Sequence, residues 1–218
     1  MDKIVLASAS PRRSELLGQA GFTFTVIPSK GEEIVTSTHP AQVVEELSRQ
    51  KALEVADRIM GGSEIVKDYD VVIGADTVVA ADHQILGKPA DHEDAAGMIR
   101  MLQGRIHQVY TGVTLIVRNK SGEVRTRTFH ECTDVDVCPM TEEEISAYID
   151  TPEPYDKAGA YGIQGSFGIY IKGIHGCYYN VVGLPISRLV HELRDLQQEF
   201  CCRAADRRHA SDSKKHIS

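Results

Sequence analysis

The chain has 218 residues, of which 42% are hydrophobic and 25% are charged, and this is the composition of an ordinary globular protein. Residues 1–202 contain 19 basic and 29 acidic side chains, so their formal charge of −10 makes sequence-independent binding to nucleic acid a poor hypothesis. No apolar run approaches the roughly 20 residues that cross a bilayer, and residues 3–7 are too short for the apolar core of a signal peptide. We therefore expect a soluble, unexported protein with no membrane partner.

The cysteines and the end of the chain add two further expectations. Five cysteines with no C-x-x-C pair fit a reduced, cytoplasmic setting. The last 16 residues carry five basic and two acidic side chains and almost no apolar ones, which is typical of disorder. We expect one α/β domain over residues 1–200 and a basic, disordered tail over residues 201–218.

Strands and helices alternate along residues 1–200, without an internal repeat and without a linker rich in proline, glycine or serine. Pro11 follows Ser10 where the first helix should begin, and Glu144 follows Thr141 at the spacing of a capping box. The periodicity predicts helices over 10–20, 40–59, 91–102, 141–149 and 185–200, and strands over 3–7, 22–28, 70–79, 109–117, 124–137 and 169–174. This mixture predicts an α/β fold with a mixed sheet.

The first candidate site is the junction between the first strand and the first helix. Ser8, Ser10, Arg12 and Arg13 lie there, on the turn that leads into the helix. A helix N-terminus offers free backbone N–H groups, and the planar guanidinium of arginine suits phosphate oxygens. The junction therefore fits an anion site, although a capped helix whose arginines face water fits the same residues.

The second candidate is a carboxyl group at the end of a buried strand. Asp76 follows the apolar run 71–75, and Thr77 adds a hydroxyl beside it. In open α/β sheets the carboxyl ends of strands line the ligand crevice, and a buried carboxylate needs a cation, a metal or several donors. An aspartate that only caps a turn remains the alternative.

Three more charged positions add to this picture. Lys51 falls on the apolar face of the second helix, between Leu47 and Val55, where it must reach the edge of that face or find an anion. Lys88 follows Gly87 in a constrained loop after Asp76. Glu33, in an acidic pair before the second helix, suits a hard cation, although such a pair is more often a solvated loop.

Seven glycines lie between Gly159 and Gly183, interleaved with aromatic residues and Gln164. Such a density indicates backbone packed against another backbone or a flat ligand, and a glutamine amide suits the edge of a pyrimidine ring. A purely structural cluster of turns is the alternative. No P-loop, Rossmann G-x-G-x-x-G, G-x-S-x-G or H-E-x-x-H motif occurs, which argues against the enzyme classes that these motifs mark.

Taken together, these segments resemble the Maf family of nucleoside triphosphate pyrophosphatases. The resemblance covers about residues 3 to 195, in order. It rests on Ser8-x-Ser10-Pro11-Arg12-Arg13, Glu32-Glu33, Lys51-Ala52, Gly74-Ala75-Asp76-Thr77, Lys88-Pro89, Thr111-Gly112-Val113, Asp156-Lys157-Ala158-Gly159-x-Tyr161-Gly162-Ile163-Gln164-Gly165 and Asn180-Val181-Val182-Gly183-Leu184-Pro185.

The resemblance implies a two-lobed α/β fold around a deep cleft, similar to that of inosine triphosphate pyrophosphatases, and commonly a homodimer. It implies hydrolysis of a nucleoside triphosphate to the monophosphate and pyrophosphate with a divalent cation, Mg²⁺ or Mn²⁺. The segment 160–165 looks like that of the branch that acts on dTTP and UTP, with modified pyrimidine nucleotides as a further option.

Within this resemblance, the charges of the candidate residues indicate their roles. Attack of water on the α-phosphorus needs a base, and the developing negative charge needs cations. Asp76 is the expected base, and Glu33 is the expected ligand of the metal ion. The expected triphosphate contacts are Ser8, Arg13, Lys51 and Lys88, and the expected contacts to the base or its surroundings are Arg12, Thr77 and Gln164, with Ser10 at the helix N-terminus that binds substrate.

Two alternatives stay open. The same cleft would serve a regulator of cell division that senses nucleotides without turnover. The same hydrolysis could also act on purines, either 7-methyl-GTP or ITP-like nucleotides.

Overall fold

One mixed β-sheet organises the molecule. The computed structural model describes the backbone of residues 3–215 and the side chains of residues 3–200. Within that range the strands are β1 (Ile4–Ala7), β2 (Phe24–Val26), β3 (Val71–Ala81), β4 (Gln84–Leu86), β5 (Ile106–Arg118), β6 (Val124–Val137) and β7 (Ile171–His175). They pair in the order β2-β1-β3-β5-β6-β7, with β4 on β3. Strand β1 is parallel to both neighbours and the other pairs are antiparallel, so the predicted α/β fold with a mixed sheet is confirmed.

Two helices begin where local sequence signals predict. Ser10 precedes Pro11 at the start of α1, and Thr141 and Glu144 form the predicted capping box at the start of α4. The helices are α1 (Pro11–Gln19), α2 (Pro40–Met60), α3 (His92–Leu102), α4 (Glu142–Ile149), α5 (Tyr178–Val182) and α6 (Ile186–Lys215), with 3-10 helices at Glu153–Asp156, Ala158–Ala160 and Ser166–Tyr170.

Helix α2 lies directly against the middle of the sheet because two strand positions there carry no side chain. A Cβ on Gly74 would stand 2.3 Å from the carbonyl oxygen of Ser48, and a Cβ on Gly112 would stand 2.2 Å from that of Val44. Such distances are far inside van der Waals contact, so only glycine permits this approach. The close packing sets the height of α2 above β3.

The hydrophobic core divides along the length of β3. Near its start, Val72 packs with Val55 of α2 on one face of the sheet, and Ile73 packs with Leu16 of α1 on the other face. Near its end, Val79 belongs to a separate cluster with α3, α4 and the 3-10 segments. Two lobes therefore meet at the middle of β3, as predicted.

Several boundaries differ from the prediction, each for a physical reason. Asp76 lies within β3 rather than at its end, because β3 runs on to Ala81 and turns into β4. That turn uses Asp82 and His83 at positive φ, without the glycine that usually marks such a hairpin. Helix α5 is too short for its periodicity to be detected in the sequence.

The carboxyl-terminal helix extends beyond the predicted end at residue 200, since the backbone of α6 continues to Lys215. The side chains of residues 201–218 lie outside the described residues, so the disorder expected for this tail stays a prediction. No helix in the described part of the chain combines the length and apolarity that a bilayer crossing requires.

Candidate active site

A cleft of about 1090 Å³ lies at the middle of the sheet. Strand β1 pairs with β3 only as far as Gly74, and β4 joins the same edge of β3 only from Val79, so residues 75–78 leave this edge open. All ten residues singled out from the sequence line the cleft, namely Ser8, Ser10, Arg12, Arg13, Glu33, Lys51, Asp76, Thr77, Lys88 and Gln164. The fold thus brings together residues that are up to 156 positions apart in the sequence.

One side of the cleft, which we call the sheet wall, consists of Ser8, Arg13, Lys51 and Asp76. Lys51 reaches down from α2 and forms an ion pair with Asp76, and both side chains are mostly buried, with exposures of 16% and 14%. The Lys51 Nζ also lies 2.9 Å from Glu33 Oε1, on the loop before α2. The lysine predicted on the apolar face of its helix therefore has anionic partners instead of reaching into water.

Arg13 lies deep in the sheet wall and is held from three directions. Its Nε donates to the carbonyl oxygen of Gly183 at 2.9 Å, Nη1 donates to Ser8 Oγ at 3.0 Å, and Nη2 donates to Thr77 Oγ1 at 2.9 Å. Burial lowers the pKa of the Arg13 guanidinium, with Asp76 acting in the opposite direction. A guanidinium carries more N–H groups than these contacts use, so Arg13 keeps donors for an anion in the cleft.

Ser8 presents a hydroxyl proton to the cleft. Its Oγ accepts from Arg13 Nη1 and also from the backbone N–H of Ser10 at 3.3 Å. Both lone pairs are then occupied, and the O–H is left for an acceptor such as a phosphate oxygen. Ser8 is 6% exposed, so this donor lies at the bottom of the cleft.

The opposite side, which we call the loop wall, is the segment 153–170 with its three 3-10 helices. Gln164 is exposed there and lines the cleft. The carboxylate of Glu153 holds the segment in place, since Oε2 accepts from the backbone N–H and the hydroxyl of Ser166, both at 2.7 Å. Burial acts to raise the pKa of Glu153, but hydrogen bonds from Ser166 and Phe167 outweigh it and lower the pKa. The loop wall therefore depends on an ionised carboxylate.

Two charged residues of the loop wall received no role from the sequence. Asp156 accepts from Arg12 Nη1 at 2.9 Å, and Lys157 donates to Asp156 Oδ1 at 2.6 Å and to the carbonyl oxygen of Glu153 at 2.7 Å. Both line the cleft. Arg12 consequently joins the first turn of α1 to the loop wall. The signal for them in the sequence was an acidic residue next to a basic residue, ahead of a glycine-rich run.

Lys88 and Gln164 differ from the sheet wall in being exposed. Neither forms a hydrogen bond or an ion pair with any residue that the structure describes, so their polar groups are available to a ligand. Lys88 lies in the loop after β4, where its neighbour Gly87 accepts from the N–H of Gly159 at 2.9 Å.

Tyr161 of the loop wall and His107 of β5 form a buried pair. Tyr161 lines the cleft, and its hydroxyl lies 2.7 Å from His107 Nε2. Burial lowers the pKa of His107 to about 4. The imidazole is therefore neutral at physiological pH.

The protein groups fit a divalent cation only if a ligand shares it. Within the described residues, no group of three or more histidine, cysteine, aspartate or glutamate side chains lies close enough to hold a metal ion. The carboxylates of Glu33 and Asp76 nevertheless converge on the same Lys51 ammonium. Mg²⁺ is commonly held by one or two carboxylates plus substrate phosphates and water, and this donor set suits that arrangement.

The site therefore combines a carboxylate, a cluster of cations and an O–H donor in one cleft. Those groups can bind a polyphosphate and can activate water beside it.

Comparison with known proteins agrees with this chemistry. The family described as Maf-like protein matches residues 3–196. The chain belongs to the Maf family.

Curated relatives of this Maf-family chain share most of its length. A dTTP/UTP pyrophosphatase from Agathobacter rectalis is 57% identical over 90% of this chain and 98% of its own length. A dTTP/UTP pyrophosphatase from Lachnoclostridium phytofermentans is 49% identical over 89% of this chain and 95% of its own length. Among solved structures, the Staphylococcus aureus Ham1 protein is 15% identical, with a TM-score of 0.37 over 62% of this chain and 71% of that chain. A likeness of that size does not bear on function.

Proposed function

We propose that this protein hydrolyses dTTP and UTP, and modified pyrimidine nucleotides of the same shape, to the nucleoside monophosphate and pyrophosphate. The observation that carries the proposal is the Lys51–Asp76 ion pair at the open edge of β3, with Arg13 and Ser8 beside it in the same cleft. Relatives that are 57% and 49% identical to this chain carry the name dTTP/UTP pyrophosphatase, which supports the same reaction.

The reaction makes two demands that the sheet wall is equipped to meet. A water oxygen attacks the α-phosphorus, the bond from that phosphorus to the bridging oxygen breaks, and the electron pair leaves with pyrophosphate. In the proposal Asp76 takes the proton of the attacking water. Ser8, Arg13, Lys51 and Lys88 donate to the phosphate oxygens and stabilise the charge that develops on the leaving group.

The loop wall would select the nucleotide. The Gln164 amide has an NH₂ group that donates and a carbonyl oxygen that accepts, which complements the alternating acceptor and donor along the edge of thymine or uracil. In the proposal Arg12 and Thr77 lie near the base, and Ser10 contributes the N-terminus of α1. Glu33 would hold a divalent cation together with substrate phosphates. When bound, a Mg²⁺ or Mn²⁺ ion supplies positive charge that offsets the negative charge of the phosphates.

A panel of nucleotides with a pyrophosphate readout tests the proposal. Purified full-length protein is incubated with dTTP, UTP, CTP, ITP and 7-methyl-GTP, each without added metal, with Mg²⁺ and with Mn²⁺. We expect pyrophosphate from dTTP and UTP at about 1 per second or faster, and only with metal.

Two results would contradict it. Tight binding of dTTP without pyrophosphate release would favour a nucleotide sensor in the control of cell division. Faster release from 7-methyl-GTP or ITP than from dTTP would assign the cleft to purines.

The assembly and the compartment belong to the same proposal. We expect a homodimer, which light scattering would report as twice the 24.0 kDa mass of the chain. We also expect a cytoplasmic enzyme that acts on free nucleotides without a nucleic-acid or membrane partner. Cell fractionation and a pull-down with nucleic acid check those two points.

A further inference from the structure

A chain of hydroxyl groups leads from Arg13 into the core. Arg13 Nη2 donates to Thr77 Oγ1, and Thr77 Oγ1 lies 2.9 Å from Thr111 Oγ1 on the neighbouring strand β5. Thr111 Oγ1 in turn donates to the carbonyl oxygen of Asn180 at 3.0 Å. Thr111 is fully buried and is not among the residues that line the cleft.

The direction of each hydrogen bond in this series of hydroxyl groups is determined. The carbonyl oxygen of Asn180 can only accept a hydrogen bond, so Thr111 must donate its single O–H to it. Thr111 can then only accept from Thr77, and the O–H of Thr77 points away from the cleft. The oxygen of Thr77 is left to accept from Arg13. Every hydroxyl along the chain therefore has one orientation.

The fixed orientation of these hydroxyl groups matters because of where Arg13 lies. Its guanidinium is held in one plane by Gly183, Ser8 and Thr77, and the N–H groups left over are those that would meet phosphate oxygens. Without an acceptor at position 111, the Thr77 hydroxyl could turn its proton toward Arg13, where a donor would face a donor. One of the three contacts that fix the plane of the guanidinium would then be lost.

We propose that Thr111 is a positioning residue for the triphosphate, which acts through Thr77 on Arg13 without touching the substrate. This role rests on the proposed function, because it presumes that Arg13 binds phosphate. Preorganised donors are worth more than mobile ones, since no ordering has to occur when the ligand binds or when charge develops.

The test uses valine, which keeps the branched shape of threonine but has no hydroxyl. Inorganic triphosphate is the probe, because it has no base and its binding can be measured by calorimetry even in a protein without hydrolase activity. We expect Thr111→Val to weaken the binding of triphosphate about 10-fold, the size of a lost hydrogen bond to a charged group. Thr111→Ser, which restores the hydroxyl, should recover most of it.

The matched control is Thr114→Val on the same strand. Thr114 is as fully buried as Thr111, and its hydroxyl bonds to Ser48 at 2.9 Å and to Thr128 at 3.0 Å, away from Arg13. We expect this variant to keep wild-type affinity for triphosphate, although it loses a buried hydroxyl. Equal weakening in both variants would overturn the proposal, because a general loss of packing would then explain it.

A double-mutant cycle decides whether the effect passes through Thr77. If it does, Thr111→Val should have no further effect on triphosphate binding in a Thr77→Val background, since the hydroxyl it orients is already gone. An undiminished 10-fold loss in that background would overturn the proposal. Should Thr111→Val fail to fold, Thr111→Ala with the same Thr77→Val partner gives the same comparison. Failure of wild-type protein to release pyrophosphate from dTTP would reject the proposed function separately, without deciding this binding result.

Discussion

The two walls of the cleft are built by different means. Each side chain of the sheet wall comes from a regular element or from the junction of two, namely β1 with α1, helix α2 and strand β3. Glycines at 74 and 112 fix the distance between α2 and the sheet, so Lys51 meets Asp76 at a set height. The loop wall has only short 3-10 helices, and it is held by buried residues such as Tyr161 and Phe167 and by hydrogen bonds of the Glu153 and Lys157 side chains.

That difference indicates a division of labour. Groups that take part in bond breaking need positions fixed to within a fraction of an ångström, and packed helices and strands provide them. Groups that select a substrate lie more often on loops, where a changed residue alters the fit without disturbing the fold. We therefore expect changes in the sheet wall to affect all nucleotides alike, and changes in the loop wall to affect the choice among them.

The largest effect should come from Asp76→Asn. An amide cannot take the proton of the attacking water, and a general base is worth about 100-fold or more in rate. We expect pyrophosphate release from dTTP and from UTP to fall together by at least about 100-fold, while the protein stays folded by circular dichroism.

Asp136→Asn is the matched control, because Asp136 is also a strand aspartate paired with a lysine, 2.8 Å from Lys172, and does not line the cleft. It should keep wild-type activity. More than a tenth of wild-type activity in Asp76→Asn would remove Asp76 as the base.

Gly112→Ala should damage the sheet wall through packing alone. The added methyl group would stand 2.2 Å from the carbonyl oxygen of Val44 and would lift α2, which carries Lys51, away from the sheet. Overpacking a core costs about 3 kcal/mol at the upper end of its usual range, and urea unfolding would measure it. Gly173→Ala in β7 should change stability little, because its methyl group meets no atom within 4 Å. Equal stability of the two variants would refute the close packing of α2.

The stability of the protein at low pH should depend on His107, which lies in the lobe that supports the loop wall. Burial lowers the pKa of His107 to about 4, whereas a histidine in the unfolded chain titrates near its ordinary value of 6.5. Between these values the unfolded state binds more protons, so the free energy of unfolding falls as the pH falls from about 6.5 to about 4.

His107→Gln keeps a polar group near Tyr161 but does not titrate in this range. It should therefore lose about 2 kcal/mol less stability than wild type when the pH is lowered from about 7 to about 5. His175→Gln, at an exposed position on β7, should show the same dependence of the free energy of unfolding on pH as wild type. Parallel curves for wild type and His107→Gln would show that His107 is not responsible.

The smallest effect should come from Gln164→Ala. Loss of a hydrogen bond between neutral groups costs about 1 kcal/mol, so kcat/KM for dTTP and UTP should fall about 5-fold. The activity toward ITP should not fall with it, and the preference for pyrimidines should narrow. Gln84→Ala, at an exposed position of β4 that does not line the cleft, is the control and should keep the wild-type preference. Unchanged preference in Gln164→Ala would mean that another residue reads the base.

The same contrast governs what the sequence could predict. Lys51 was located by the helical period and Asp76 by a buried apolar run, because regular elements repeat in the sequence as they do in space. Thr111 belongs to a segment that carries the family resemblance, but it lies inside a strand and nothing in the sequence gives its hydroxyl a role. The pairing of Arg12 with Asp156 joins the first turn of α1 to a 3-10 helix 144 positions away in the sequence, so only the folded chain reveals it.

The position of bond cleavage tests the central claim most directly. Hydrolysis of dTTP in water enriched in oxygen-18, followed by mass spectrometry of both products, shows which phosphorus the water attacks. Attack at the α-phosphorus, beside Asp76, places the label in dTMP and leaves pyrophosphate unlabelled, and this is the result we predict. Label in pyrophosphate would contradict attack at the α-phosphorus beside Asp76, and release of labelled inorganic phosphate with dTDP would contradict pyrophosphate release itself.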